Sequence, residues 1–352
     1  MADARSKPPA PEPPEPEPPA PEPFGPEPLG PESLTWRYFG DWRTLLLAPW
    51  AGAMQNAHPA LGAGVAQHSR FFEERWQRLL RSLYPIGGVV YDGPRAAETA
   101  RTVRDYHRAI GGVDDQGRRY HALDPDTFYW AHATFFMITI LTAERFGPGL
   151  TDAQRHQLHA EHVAWYRLYG VSMRPVPPDW PSFVAYWDRM CAEVLEDTPA
   201  ARAVLDLREL DRPPALGWLP RPLWRAARVP FRLLFTWLTV GLLPTTVRSR
   251  FGYRWTAADE RLFRLACRAV HAGWRLVPPA RRFHPRARAG WRRAAGTSAA
   301  DAPPVETPAR NLPPVNRRDD PRHYVPAATA PPQERPLRTP AQVGRPAIRY
   351  WM

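Results

Sequence analysis

The chain has 352 residues, 45 of them proline, with two cysteines and a formal net charge of +12. Thirteen prolines crowd residues 1–32 and twelve fall in 297–352, so only the middle block is left to bury one sizeable core. Cys191 and Cys267 are too few for a disulfide framework or a four-thiolate cluster, which excludes small disulfide-stapled secreted folds and points to a reducing, cytoplasmic setting.

The first 32 residues repeat Pro-Glu and Pro-Ala with almost no large apolar side chain. Such a segment cannot offset the entropy of ordering and is expected to be an extended, disordered arm. It lacks the apolar core of a signal peptide. Residues 297–352 are expected to form a second disordered, Pro/Arg-rich tail. The arm carries seven acids against Arg5 and Lys7 and the tail eight arginines against five acids, leaving +14 on the middle block. Clustered cations bind nucleic acid by releasing counterions from phosphate, but Lys7 is the only lysine and no nucleic-acid-binding motif accompanies the arginines. The reading is therefore no nucleic acid, with anionic lipid as the alternative use of the basic surface.

Helical periodicity runs through the middle block in chain order. Between Met54 and Ser69, alanines and glycines flanked by His58 and His68 leave room for a closely packed helix or a planar ligand. Gly88 to Tyr91 reads as an isolated strand or turn between glycines. From Arg95 to Ile110, the stripe Ala96, Ala100, Val103, His107, Ile110 places His107 on the buried face of a helix. Asp124 with Pro125 caps a helix running toward Phe146. Thr151 and Gln154 make a capping box for a helix stopping at Gly170, Ser182 caps the next, and Thr256 with Asp259 starts one that ends near Val277. The longest apolar run, Phe231 to Leu243, falls short of the roughly 20 residues needed to span a bilayer and reads as a buried helix, with a membrane-surface contact as its rival. No dinucleotide, phosphate-loop or nucleophile-elbow pattern is present. The fold class is all-α: one large helical domain over residues 33–296.

The chemistry therefore rests on histidines. His107 and His132 lie on apolar faces of successive helices, the latter among Phe128, Tyr129, Phe135 and Phe136. Each is either a hydrogen-bonded core residue or a ligand for a metal or haem, which helical bundles hold between facing helices. The run His156, His159, His162 with Glu161 rotates around its helix by about 60° per three-residue step and reads as a solvated face.

An ordered series of motifs resembles the family of the fungal MpaB oxygenase and the bacterial latex-clearing rubber oxygenases, closest to the bacterial MpaB-like proteins. It comprises LLLAPWAGAMQNAHPALGAGVAQHS at 45–69, RLLRS at 78–82, VRDYHRAIGG at 103–112, YHALDPDTFYWAHATF at 120–135 and VGLLPTTVRSRFGYRW at 240–255. The resemblance implies haem b ligated by His107, whose Arg104-Asp105-Tyr106-His107 matches the family's Arg-x-x-His. It also implies a distal segment at Arg78, Arg81 and Ser82, where the rubber oxygenases have Arg-x-x-Lys-Thr, and a haem-pocket role for His132. Arg104 and Arg108 become candidates for haem propionates. Arginine does not readily give up its proton, so Arg81 departs from the lysine as an iron ligand. The implied activity is that of an oxygenase acting with dioxygen on an apolar isoprenoid or polyketide-like small molecule. A non-haem metal held by His107, His132 and carboxylates, or a non-enzymatic membrane-surface protein, are the alternatives.

Overall fold

The computed structural model describes residues 27–322 apart from 72, 209–211, 214, 215, 319 and 321. The expectations for residues 1–26 and 323–352 lie outside the described residues.

The architecture is helical, as the periodicity predicts. Its α-helices are α1 (Leu34–Tyr38), α2 (Ala48–Asn56), α3 (Pro59–His68), α4 (Arg75–Tyr91), α5 (Ala96–Tyr106), α6 (Pro125–Phe146) and α7 (Asp152–Arg167). They continue with α8 (Trp180–Arg189), α9 (Pro199–Leu205), α10 (Arg221–Leu242), α11 (Thr245–Arg250), α12 (Ala257–Trp274) and α13 (Pro285–Ala294). Among the described residues the one sheet is a two-stranded antiparallel hairpin, β1 (Gly111–Val113) with β2 (Arg119–His121), in which Gly112 faces Tyr120.

Helix α6 is apolar nearly all round and is buried along most of its length, as a central helix must be. Helices α1, α2, α7 and α12 pack around it, α9 backs α2, and α4 forms a second layer with α5 and α13. The two ends of the block meet where Trp42 N donates to Arg282 O and His284 N to Gly40 O, both 2.8 Å.

Three of the expected helix starts are present in atomic detail. Asp124 Oδ1 accepts from Asp126 N and Thr127 N. Thr151 and Gln154 satisfy each other's backbone at the start of α7, and Thr256 and Asp259 do so at α12. Gly170, in the left-handed region at φ +62°, ends the turn after α7, a conformation glycine adopts without strain. The fourth start is corrected: Asp179, not Ser182, is the cap of α8, its carboxylate accepting from Ser182 N at 2.8 Å. Trp180-Pro181 then fills the first turn, where a proline's missing N–H costs nothing.

The strand expected at Gly88–Tyr91 is instead the last turn of α4. Bare glycines read locally as strand or turn, but here they serve close packing. A β-carbon at Gly88 would lie 2.4 Å from the Arg286 guanidinium, which passes over the helix to reach Asp92. The Phe231–Leu243 stretch is only partly a buried helix. Leu238, Val240, Leu242 and Leu243 are buried, whereas Leu233 and Leu234 are 60% and 57% exposed. No helix of the described residues is long and apolar enough to cross a membrane.

Glu161 ties α7 to α1. Its carboxylate accepts from Leu34 N (2.9 Å), Thr35 N (2.8 Å), Thr35 Oγ1 (2.7 Å) and Gln157 Nε2 (2.8 Å). A charge at a helix N-terminus accepting backbone N–H groups is a strong arrangement. Glu161→Ala is expected to destabilise the protein by about 2–3 kcal/mol, because the orphaned donors are desolvated and bonds to charged groups are the costly ones to lose. Urea denaturation of both proteins measures it.

Candidate functional site

His107 closes α5 as its C-terminal cap in a right-handed helical conformation. Its Nδ1 lies 2.7 Å from the carbonyl oxygen of Val103. A carbonyl only accepts, so the ring proton is on Nδ1 and the lone pair is on Nε2. Burial, with the nearby Arg78 charge adding to it, lowers the ring's pKa to about 4, so the imidazole is neutral at neutral pH. A neutral imidazole oriented through Nδ1–H and presenting an Nε2 lone pair is the form that ligates iron. On this donor chemistry, the residue fits a haem iron.

The other expected site residues are distributed around it. Arg78 lies one helix away on α4, its guanidinium bonded to Ser82 Oγ, which in turn donates to Arg78 O at 2.9 Å. Arg81 is 1% exposed and committed elsewhere: one nitrogen bonds Glu74 Oε2 at 2.5 Å and another the carbonyl of Asn311 at 3.0 Å. Arg104 donates to Asp105 Oδ1 at 2.7 Å and to Tyr169 O at 3.2 Å. Arg108 meets the same Asp105 oxygen from an exposed position. Thus Arg78, bonded to Ser82, is near enough for its charge to act on His107, while Arg104, three residues before His107 on α5, turns to Asp105 and Tyr169.

His132 sits deeper. Phe128 meets His107 edge-on at 6.0 Å, Tyr169 lies 5.3 Å from Phe128 and 5.6 Å from His132. The two histidines are therefore joined through aromatic rings. His132 stacks on His162 at 4.6 Å with an interplanar angle of 17°, its Nε2 is 3.4 Å from the His162 carbonyl, and burial lowers its pKa to about 3.

The solvated-face expectation for α7 is overturned in part. His156 is exposed, but His159, Glu161 and His162 are buried. The reason is that α7 lies against α1, α6 and α8, so more than one of its faces is covered, and a local pattern rich in polar residues did not disclose this. His162 Nε2 lies 2.9 Å from Tyr129 Oη, a contact between α7 and α6 that no local spacing signals.

His58 and His284, like His107, are lowered to about 4, chiefly by burial, and His132 further. As pH falls, the unfolded chain takes up protons at these histidines near its ordinary value of about 6.5, while the folded protein resists until about 4. Their contribution to stability is therefore complete above pH 6.5 and is lost progressively as pH drops toward 4. The urea midpoint measured across that window should fall continuously; a flat profile would contradict it.

No group of three or more His, Cys, Asp or Glu that could hold a metal ion occurs among the described residues. A separate cleft of about 310 Å³ opens at the far end of α6, with Trp50, Trp187, Arg145 and Arg248 in its walls.

Residues 36–272 match the family model described as "ER-bound oxygenase mpaB/B'/Rubber oxygenase, catalytic domain". No curated protein and no solved structure matches the chain.

Proposed function

Because the chain belongs to the MpaB/rubber-oxygenase catalytic family, we propose that it is a haem-dependent oxygenase that uses dioxygen on an apolar small molecule, with His107 as the residue that would hold the iron. The observation that carries this is the His107 ring itself: neutral, and fixed by Val103 with its lone pair on Nε2. When bound, haem would supply the dioxygen chemistry. The chain supplies the rest. Val103 holds the tautomer and orientation of His107. Arg78, kept in place by Ser82, offers a fixed positive charge and hydrogen-bond donors to an anionic or partly reduced oxygen group. Arg104, anchored by Asp105 and the Tyr169 carbonyl, would pair with a propionate. Arg81 acts as a support for α4 through Glu74 and Asn311, in keeping with its inability to replace lysine as a ligand. His132 would stand behind His107 through Tyr169 and Phe128.

The test is the visible spectrum of protein expressed with a haem precursor. A Soret band together with haem in a pyridine extract supports the reading, and a colourless protein with no extractable haem ends it.

The same protein is proposed to touch anionic membranes through α10 and α12. Leu223, Leu233 and Leu234 of α10 and Leu262, Leu265 and Leu276 next to or on α12 are all more than half exposed. Arg225, Arg228, Arg261, Arg268 and Arg275 stand among them without an ion pair among the described residues, and residues 212–258 contain no acid. Exposed leucines between cations suit a lipid interface better than a purely polar polyanion, with about 1 kcal/mol per arginine near an anionic surface. Cosedimentation with phosphatidylserine-containing vesicles should fall with added salt, with phosphatidylcholine alone in their place, and in a Leu233→Glu, Leu234→Glu variant. Equal pelleting in all cases, or none in any, removes this contact.

A further inference from the structure

The α6/α7/α8 interface holds an unusual set of buried polar groups for an apolar core. Tyr129 and His162 are fully buried and bonded to each other at 2.9 Å. Around them His132 Nδ1, His162 Nδ1, His159 Nε2, Tyr166 Oη and Tyr186 Oη are buried without a hydrogen-bond partner among the described residues. Burying polar atoms unsatisfied costs free energy that leucine or phenylalanine would not incur. Packing alone does not call for tyrosine and histidine here.

The rings also form a column. Phe128 stands 6.0 Å from His107 and 6.1 Å from Tyr166, and Tyr166 is 5.2 Å from Tyr129. Tyr129 is 5.1 Å from Tyr186, which is 6.4 Å from Trp130. Trp130 stacks on Trp187 at 4.8 Å and Trp187 on Trp50 at 6.1 Å, and those two tryptophans line the cleft at the far end of α6. Between the Phe128 bridge and the cleft every ring is a tyrosine or a tryptophan; of the three tyrosines Tyr129 has a base on its hydroxyl, and Tyr166 and Tyr186 serve, like Phe128, as bridging rings.

We propose that Tyr129 and His162 are a proton-coupled redox pair, in which Tyr129 passes one electron toward the His107 side of the column and its hydroxyl proton to His162 Nε2. The Tyr129 O–H bond breaks, a neutral tyrosyl radical remains, and His162 becomes an imidazolium carrying protons on both nitrogens. The electron acceptor is a one-electron oxidant. In the enzyme this is the oxidised cofactor of the proposed function, on which the physiological role rests. One electron returned from a small reductant of the thiol or enediol class, entering through Trp50 or Trp187, and the proton returned from His162, restore the pair.

Two features support this assignment. A phenol loses an electron readily only if its proton leaves too, and burial raises the Tyr129 pKa far above its ordinary value, so a base in hydrogen-bond contact is required. His162 is that base: burial keeps it neutral, and in the tautomer with its proton on Nδ1 its Nε2 accepts the bond. The imidazolium it becomes lies face to face with Phe136 at 4.3 Å and 20°, the geometry in which an aromatic ring favours a cation.

The experiment supplies its own oxidant, so that it does not depend on haem. The full chain is irradiated with a ruthenium tris-bipyridyl photosensitiser and a sacrificial acceptor, and the radical is followed by transient absorption and frozen for electron paramagnetic resonance. The expected result is a tyrosyl radical whose formation slows in deuterium oxide and whose signal is largely lost in Tyr129→Phe, a variant that keeps the ring and its packing. His162→Gln should form the Tyr129 radical about a hundredfold more slowly, the lower end of what a positioned base contributes to proton transfer. Circular dichroism checks that both variants are folded. An unchanged tyrosyl yield in Tyr129→Phe, or unchanged kinetics in folded His162→Gln, overturns the proposal. If His162→Gln does not fold, the deuterium effect together with Tyr129→Phe decides it. A Soret band with no Tyr129 radical would reject the pair and leave the haem reading standing; the reverse would do the opposite.

Discussion

Replacing His107 by alanine is expected to abolish haem retention while leaving the helical domain folded. Within the protein the ring is partly buried, bonds the Val103 carbonyl and meets Phe128 edge-on. Losing one such hydrogen bond costs only about 0.5–1.5 kcal/mol, whereas under the proposed function losing His107 removes the residue that would hold the iron. The Soret band should disappear in His107→Ala, the circular dichroism spectrum should not change, and millimolar imidazole should restore part of the band by occupying the vacated position. His132→Ala is the contrasting variant. That ring is packed against His162, Trp165, Tyr166 and Tyr169, so its removal should lower the melting temperature while the Soret band persists. If the two variants behave alike, the assignment of His107 as the sole axial ligand is wrong.

The largest single effect on stability is expected at Asp92. Its carboxylate accepts from Arg286 Nε at 2.8 Å and from a second Arg286 nitrogen, and from Thr99 Oγ1 at 2.7 Å. Both charged side chains are almost wholly out of water, at 2% and 9% exposure. Removing one partner of a buried pair leaves the other charge uncompensated, at a cost of about 3–5 kcal/mol. Asp92→Asn should therefore shift the urea midpoint far more than Glu161→Ala. The double variant Asp92→Leu, Arg286→Met should recover much of the loss, because it deletes both charges. Gly88→Ala should also destabilise, since its new methyl meets the Arg286 guanidinium at 2.4 Å.

The contrast between these residues shows what the sequence discloses. Asp124, Thr151 and Thr256 could be read directly because a helix cap is chemistry between a residue and its neighbours two or three positions on. The buried stripe Ala96, Ala100, Val103 was readable for the same reason, although the helix stops at Tyr106 and leaves His107 half-buried as its cap rather than carrying on to Ile110; the family motifs then gave His107 a role. Asp92 and Arg286 are joined by the fold across 194 positions, and no local pattern couples them. The same is true of Tyr129 with His162. The polar spacing of α7 pointed to water because the sequence does not say how many neighbours a helix will have. Gly88 read as part of a strand for want of the arginine that needs its bareness. The hairpin at 111–121 was missed because its strands are three residues each, too short for alternation to register.

Asn311 carries a practical consequence. Residues 309–311 form a short turn packed against α4, and the Asn311 carbonyl takes one of the hydrogen bonds of Arg81. The family match stops at residue 272 and the Pro/Arg-rich composition begins near 297, so either border invites a cut there when the protein is shortened for expression. Such a cut would leave the Arg81 guanidinium beneath the surface with an acceptor missing, and would uncover the side of α4 that the turn covers. A shortened chain ending after 322 keeps that turn, and its yield and melting temperature, set against those of a chain ending at 296, would report how far the folding unit extends past its recognisable core.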